Sequence, residues 1–299
     1  MRTSSTLLTA ANVTKMYVGI AFISVSRSIS LAGIYTAALG FLYVLSVNIY
    51  CVWILLKARN RFKHSKIVDI CDLTAKLYGE DKRKYMTFLL VSTNILFLMC
   101  YTVFFGSQLD QLMCSSFEVT QCGHPHLFAM ACTTFLLPII FQRELRNIGV
   151  FSLVVLAFTM ASIAMILYIC IQVITNPLDV IDKDYGLKLT KYDQMYVKWD
   201  FSMLPMFCSA MMNIFEGNQQ ILNIYAEAEK PQGFFPIVSA LFVIMLVGIA
   251  ILTGVLGYLA FGASCDSVIL LNLPNRNILG VMAKLFYCFT IMGSFVIVI

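Results

Sequence analysis

The sequence predicts an all-α protein that crosses a membrane several times, and three observations lead to this prediction. Of its 299 residues, 60% are hydrophobic and only 12% are charged, whereas about a quarter of the residues of a soluble domain are charged. The mean hydropathy is +0.82. The apolar stretches reach the roughly 20 residues that a helix needs to cross a bilayer, and the short alternating segments typical of a membrane β-barrel do not occur.

Eight hydrophobic segments predict eight membrane-spanning helices in a single transmembrane domain that covers residues 1–299. The first segment is weak because it contains Lys15 and Arg27, and the fourth is short and carries Pro138. The eighth reaches the last residue without a polar cap, from which we expect a truncated chain. In order, the segments lie near residues 12–30, 31–56, 85–105, 126–141, 148–175, 199–224, 234–261 and 277–299.

The distribution of lysine and arginine predicts the orientation. Thirteen of these residues lie in loops on one predicted side, nine of them between Lys57 and Lys84, and five lie on the other. Because basic loops stay in the cytoplasm, we expect a cytoplasmic N-terminus, with residues 107–125, 176–198 and 263–276 facing the outside or a lumen. The net charge of +5 reflects this asymmetry. The expected partner is therefore the lipid bilayer, and no nucleic acid is expected.

Two of the ten cysteines predict a disulfide on the non-cytoplasmic side. Cys114 and Cys122 share one loop on that side, where disulfides form and persist. The alternative pairing joins Cys114 to Cys265. No cysteine or histidine spacing indicates a metal site, and we interpret His124-Pro-His126 as a turn.

The basic loop contains the segment SKIVDICDLTAKLYG, whose apolar residues recur at helical spacing. It predicts an amphipathic helix that Ser65 can cap and Gly79 can end.

The sixth segment contains a polar cluster, NIFEGNQQ, that begins at Asn213. A carboxylate within a membrane span is costly, so Glu216 is expected to be functional and to have a partner. Gly217 and the amides that follow it predict an interrupted helix, in which the amides satisfy freed backbone groups.

The first segment is interrupted in a similar way, by Gly19 and by several serines. Polar or glycine-broken spans at corresponding positions of two inverted repeats mark the substrate site of a secondary transporter. We therefore expect breaks near residues 19–24 and 215–220, lying side by side in the bundle core. Unwound backbone there suits a substrate carboxylate or a coupling cation.

At these residues the sequence resembles the amino acid/auxin permease family, which includes the vesicular GABA, proton-coupled and sodium-coupled neutral amino acid transporters. FEGNQQILNIYAEAEKPQGF resembles the family's sixth-helix motif, and GVLGYLAFGASCDSVILLNLPN resembles the end of its seventh helix and the following loop. LPIIFQRELRNIGVFSLVVLAF and NVTKMYVGI resemble its fourth-to-fifth helix turn and its first helix.

The resemblance implies a LeuT-type inverted-repeat fold of eleven spans, of which about eight would be present here. It also implies an amino acid substrate and coupling to H⁺ or Na⁺. Carried onto this sequence, the substrate site comprises Gly19, Ile20, Ala21, Phe215, Glu216 and Gly217. Four positions depart from the family pattern: Ala21 replaces a glycine, Ser26 and Asn223 replace prolines, and Arg27 stands where an aromatic residue is usual.

The roles of two charged residues stay open. Glu216 either carries a coupling proton, orients the substrate amine or pairs with Arg27, or it only bridges unwound backbone. Arg27 either snorkels to the outer interface, or it contacts a substrate carboxylate or pairs with Glu216.

The predicted function is secondary active transport of amino acids, by symport or antiport and alternating access. The alternatives are an amino-acid-sensing receptor or transceptor and an inactive truncated homologue. An enzyme is not expected, because no nucleophile–base pair, metal spacing or phosphate loop occurs, and no cofactor is expected beyond the possible coupling ion. The expected location is the plasma membrane or an endolysosomal or vacuolar membrane.

Overall fold

The computed structural model describes residues 5–62, 67–116, 123–140, 145–175, 200–274 and 277–298, and the regular structure of these residues is helical. A 3₁₀ segment, Asn213–Gln220, joins α8 to α9, and a π-helical segment, Ile244–Ile251, joins α10 to α11. The helices are α1 (Thr6–Tyr17), α2 (Ala21–Ala32), α3 (Ile34–Arg61), α4 (Ile70–Tyr78), α5 (Glu80–Ser116), α6 (Pro125–Ile140), α7 (Leu145–Thr175), α8 (Leu204–Met212), α9 (Ile221–Glu227), α10 (Phe234–Val243), α11 (Leu252–Phe261), α12 (Ile269–Asn272) and α13 (Ile278–Val298).

These helices make the chain an all-helical integral membrane protein. Among the described residues, four stretches are long and apolar enough to cross a bilayer, or five if the bent pair α1–α2 counts as one span. The four are α3, most of α5, most of α7 and the run from Pro231 to Phe261. Helices also occupy the other predicted segments, as α6, the interrupted pair α8–α9 and α13. Whether those three cross the membrane stays a prediction.

Small residues let α11 approach α2 closely. A Cβ on Gly254 would lie 2.5 Å from Cγ1 of Val25, and one on Gly257 would overlap the hydroxyl of Ser26. That hydroxyl donates to the carbonyl of Thr253 at 3.0 Å. Ser26, where the resemblance leads one to expect proline, therefore binds α2 to α11.

The predicted amphipathic helix is α4, but its start differs from the prediction. Asp69 caps it, because its carboxylate accepts from the backbone N–H of Asp72 at 2.6 Å. Ser65 lies outside the described residues, and the helix begins too late for it to be the cap. The predicted end is confirmed, since Gly79 follows the last turn with a φ of 94°, a conformation that glycine adopts without strain.

Candidate functional site

The first predicted span is broken close to Gly19. Helix α1 ends at Tyr17, α2 begins at Ala21, and the two are bent by 48°. Val18 has an extended backbone conformation. The carbonyl of Gly19 accepts a buried hydrogen bond from the hydroxyl of Tyr287 at 2.7 Å, so α13 holds the break in place. The prediction of a broken first helix is confirmed, although the break begins slightly before residue 19.

The sixth predicted span is broken at its polar cluster, as predicted. The chain changes from α8 to the tighter 3₁₀ geometry at Asn213 and returns to α-helix at Ile221. Within the segment, Phe215 has non-helical backbone angles, with φ of −99° and ψ of 25°. Such mid-helix 3₁₀ stretches often mark hinges or functional sites.

The two breaks lie side by side, which confirms the predicted arrangement. A Cβ on Gly217 would lie 3.0 Å from the carbonyl oxygen of Met16 and 3.1 Å from the Cβ of the same residue. One residue further on, the hydroxyl of Tyr17 donates to Oδ1 of Asn218 at 2.8 Å. Gly217 therefore allows the backbones of the two broken helices to touch.

An aromatic cluster of Tyr17, Phe215 and Phe242 fills the space between the breaks on the side of α1 and α9. The ring centroids lie 5.9 Å apart for Tyr17 and Phe215, 4.8 Å for Tyr17 and Phe242, and 4.9 Å for Phe215 and Phe242. All three pairs meet edge to face, and all three side chains are buried. Three buried rings in mutual contact therefore close this side of the breaks.

Beside the aromatic cluster, amide side chains join the 3₁₀ segment to α1, α3 and α5, and we call this group the amide chain. Asn218 accepts from Tyr17 and donates through Nδ2 to Oδ1 of Asn48 at 2.6 Å, and Asn48 donates to the carbonyl of Val44 at 2.8 Å. Gln219 donates to Oδ1 of Asn94 on α5 at 2.6 Å. We expected the amides of the sixth span to satisfy freed backbone groups, but the hydrogen bonds of Asn218 and Gln219 go to the side chains of neighbouring helices.

A cavity of about 640 Å³ lies on the other side of the breaks, towards α2 and α8. Residues next to both breaks line it, namely Ile20 and Ala21 in the first and Asn213 in the second. The rest of its wall comes from Ser24 on α2, from Ala210 on α8, from the stretch of α5 between Leu96 and Gln108, and from the loop that contains α12. A concave site of this kind, apolar with a few polar groups, is typical of small-molecule sites.

The structure divides the predicted substrate residues between the two sides of the breaks. Ile20 and Ala21 line the cavity, whereas Phe215 belongs to the aromatic cluster and Gly217 packs against α1. The side chain of Glu216 lies outside the described part of the structure, so its predicted roles stay predictions. The grouping of all six residues around one ligand likewise stays a prediction.

Arg27 reaches the loop that follows α11. Its guanidinium donates to the carbonyl of Cys265 at 3.1 Å, which ties the far end of α2 to a loop that also lines the cavity. This contact was not predicted. The pairing of Arg27 with Glu216 stays a prediction, because the side chain of Glu216 lies outside the described part of the structure.

Two buried lysines are the functional candidates that the sequence analysis missed. Lys15 on α1 donates to the carbonyl of Thr290 at 2.9 Å, and Lys284 on α13 donates to Oε1 of Gln111 at 3.2 Å. The side chains are 1% and 0% exposed. A lysine within an apolar run is the signal that could have identified them. We had counted Lys15 only as a residue that weakens the first span.

The predicted disulfide is partly tested. Cys114 is disulfide-bonded, while Cys265 has a free thiol, so the alternative pairing of these two is wrong. Cys122 lies outside the described residues. Asp110, one turn before Cys114, accepts from the backbone N–H groups of Gly123 and His124, each at 3.2 Å. These bonds hold residues 123 and 124 against α5, one turn before Cys114. A Cys114–Cys122 bridge requires the chain to lie close to α5 at this point.

Peptide mapping without reduction is expected to recover Cys114 and Cys122 in one linked peptide, with Cys265 alkylated as a free thiol. The same digest after reduction is the control. Recovery of Cys122 as a free thiol would show that Cys114 has another partner.

The two histidines after this loop make a ring contact, with His124 and His126 centroids 5.7 Å apart. Within the described ranges no group of three or more histidine, cysteine, aspartate or glutamate side chains is arranged to hold a metal ion.

Comparison with known proteins places these features in a family. The family model described as transmembrane amino acid transporter protein matches residues 2–299. Vacuolar amino acid transporter 4 of Saccharomyces cerevisiae is 26% identical over 298 residues, which cover 98% of this chain and 39% of the yeast protein. Amino acid transporter ANT1 of Arabidopsis thaliana is 24% identical over 281 residues, which cover 91% of this chain and 60% of the plant protein. The chain thus spans less than two thirds of the length of either relative.

Proposed function

Because the chain belongs to the family of transmembrane amino acid transporter proteins, which are transporters and not enzymes, we propose that it carries amino acids across a membrane by alternating access. The observation that carries this proposal is the meeting of two broken helices beside a cavity of about 640 Å³. Secondary transporters place their substrate between such helices, because unwound backbone supplies hydrogen-bonding groups and helix dipole ends near mid-membrane. We further propose that the helices form a LeuT-type bundle.

The unequal packing on the two sides of the breaks supports alternating access. The aromatic cluster and the amide chain close the side of α1 and α9, while the cavity lies on the side of α2 and α8. With the N-terminus in the cytoplasm, as the basic loops favour, the closed side is cytoplasmic and the cavity faces the outside or a lumen. A transport cycle then requires the aromatic cluster to separate and the cavity to close.

We also propose a membrane for the protein and an ion that drives its transport. A vacuolar membrane suits the name of the yeast relative. In a membrane of an acidic compartment, the available gradient is that of protons, so we propose H⁺ as the coupling ion. Glu216 is the proposed proton carrier, because a carboxylate beside a hydrated cavity can titrate where lipid would not tolerate its charge.

Uptake of radiolabelled amino acids into liposomes that contain the purified chain tests the function. We expect accumulation of at least one amino acid under an imposed proton gradient, with an acidic lumen if protons leave in exchange for the amino acid or an acidic exterior if protons enter with it, and its loss when a protonophore removes the gradient. Empty liposomes are the control. Binding of amino acids without uptake would favour the receptor or transceptor, and neither binding nor uptake would favour the inactive homologue.

Replacing Glu216 by glutamine tests the proposed coupling. The change keeps the shape of the side chain and removes its charge and titration. We expect proton-driven accumulation to fall to the level of empty liposomes, while exchange of labelled for unlabelled substrate survives. Exchange needs the site to move but needs no net movement of protons.

The matched control is Glu229→Gln, which neutralises an exposed carboxylate thirteen residues later in the same region. It is expected to accumulate substrate normally. Normal accumulation by Glu216→Gln as well would remove Glu216 from the coupling mechanism and leave it as a structural bridge.

A further inference from the structure

The wall of the cavity contains one buried amide whose hydrogen bonding is incomplete. Gln108 on α5 is 1% exposed and lines the cavity. Its Oε1 is buried and accepts no hydrogen bond within the described part of the structure. Nearly all buried polar atoms in folded proteins have a partner. A buried acceptor without a partner, on a residue that lines a cavity, is a group to which a bound ligand can supply the missing donor.

Gln108 differs from the other polar residues of this wall, which include Tyr101, Asn213 and Ser267, because its acceptor is buried and has no partner among the described residues. Most of its neighbours on α5 are apolar or aromatic, among them Phe97, Val103 and Phe104. The hydroxyls of Ser24 and Ser107 also line the cavity, but they donate to the carbonyls of Ala21 and Phe104, both at 2.9 Å. No side chain with a formal charge occurs among the described residues that line the cavity.

The position of Gln108 suits contact with the side chain of the substrate. Phe104, one helical turn earlier on α5, packs in the same buried cluster as Ile23, which closely follows the first break. Gln108 therefore lies further along α5, beyond the level of the break. A substrate whose α-amino and α-carboxyl groups lie at the broken helices can extend its side chain along α5 towards this amide.

We propose that Gln108 determines substrate specificity, by hydrogen bonding to the side chain of a neutral amino acid that carries an amide or hydroxyl group. This inference rests on the proposed transport function and names the substrate class of the same site. Charged side chains are disfavoured because the described residues of the wall offer them no opposite charge. Purely apolar side chains fit the wall but leave the amide of Gln108 without a partner. Sites built to hydrogen-bond a substrate group discriminate strongly against analogues that lack it.

Glutamine and methionine are the matched probes, because their side chains have similar length and volume but only glutamine can hydrogen-bond well. We expect the wild-type chain in liposomes to prefer glutamine by about tenfold in kcat/KM, the ratio that corresponds to 1.4 kcal/mol. Gln108→Met keeps the volume of the residue and removes its amide. It is expected to bring the ratio to within about twofold of unity, by weakening glutamine uptake and sparing methionine uptake.

Two further variants sharpen the test. Gln172→Met changes a glutamine on α7 that donates to the hydroxyl of Tyr168 and does not line the cavity, so the ratio should stay at the wild-type value. Gln108→Glu places a carboxylate at the same position, and we expect it to admit lysine, which the wild-type chain excludes. A ratio that Gln108→Met leaves unchanged, or an equal loss of both substrates, would overturn the assignment.

Equilibrium binding of labelled glutamine and methionine to the purified full chain separates this inference from the transport proposal. Binding that favours glutamine and depends on Gln108, in a chain that transports nothing, would overturn transport and support the specificity role. Uptake that does not depend on Gln108 would support transport and overturn the specificity role. Absence of both binding and uptake would overturn both.

Discussion

Replacing Gly217 by leucine is expected to abolish substrate uptake, because this glycine is where the two broken helices touch. The first atom of any side chain would lie 3.0 Å from the carbonyl oxygen of Met16, a backbone atom that cannot rotate away. Alanine requires a shift of a few tenths of an ångström, whereas leucine forces α1 and the 3₁₀ segment apart. Overpacking of this kind costs roughly 1–3 kcal/mol or more. Uptake per folded molecule, with folding judged by size-exclusion chromatography, measures the effect.

Gly248→Leu is the matched control for this prediction. It makes the same chemical change in the π-helical segment, where an added Cβ would meet no atom within 4 Å. We expect near-normal uptake from Gly248→Leu, a moderate loss from Gly217→Ala and no uptake from Gly217→Leu. Wild-type uptake by Gly217→Leu would show that contact between the broken helices is not needed for transport.

Replacing Asn218 by leucine is expected to destabilise the protein by about 2 kcal/mol or more. The change leaves the Tyr17 hydroxyl without its acceptor and Oδ1 of Asn48 without its donor. Each orphaned buried group costs roughly 1–3 kcal/mol, although hydrogen bonds between membrane helices are worth less on average. A lowered thermal midpoint of the purified chain is the measurement.

A double-mutant cycle identifies the amide chain as the cause. Tyr17→Phe removes one of the two hydrogen bonds of Asn218 and is expected to have a smaller effect. Since both changes remove the Tyr17–Asn218 bond, the loss in the double variant should be less than the sum of the single losses. Additive losses would indicate that the two side chains contribute independently.

The two breaks could be predicted from sequence because each has a local cause. Gly19 and the polar cluster around Gly217 interrupt apolar segments, and such interruptions are visible without knowledge of any partner. Their position side by side followed from the repeat argument. The capping of α4 was predicted less well, because Ser65 and Asp69 are both acceptable caps in sequence and only the start of the helix distinguishes them.

The partners of the polar side chains could not be predicted, because they are distant in sequence. Asn48 lies 170 residues before Asn218, and Lys15 lies 275 residues before Thr290. No periodicity or local motif connects such pairs. The same holds for Gln108, whose proposed role depends on a buried oxygen that has no partner among the residues that the structure describes. A glutamine near the end of a long apolar helix gives no such indication in the sequence.

The size of the cavity has a consequence for the energetics of selection. At about 30 Å³ per molecule, a volume of about 640 Å³ has room for on the order of twenty water molecules. An amino acid that enters is therefore still largely hydrated, and the protein groups around it compete with water. In the proposed transport cycle, dehydration would occur when the cavity closes, since a water-free enclosure strengthens every polar contact within it. Discrimination between substrates is thus expected to arise mainly in the closing step. Competing amino acids should then differ more in their maximal transport rate than in their affinity for the open cavity.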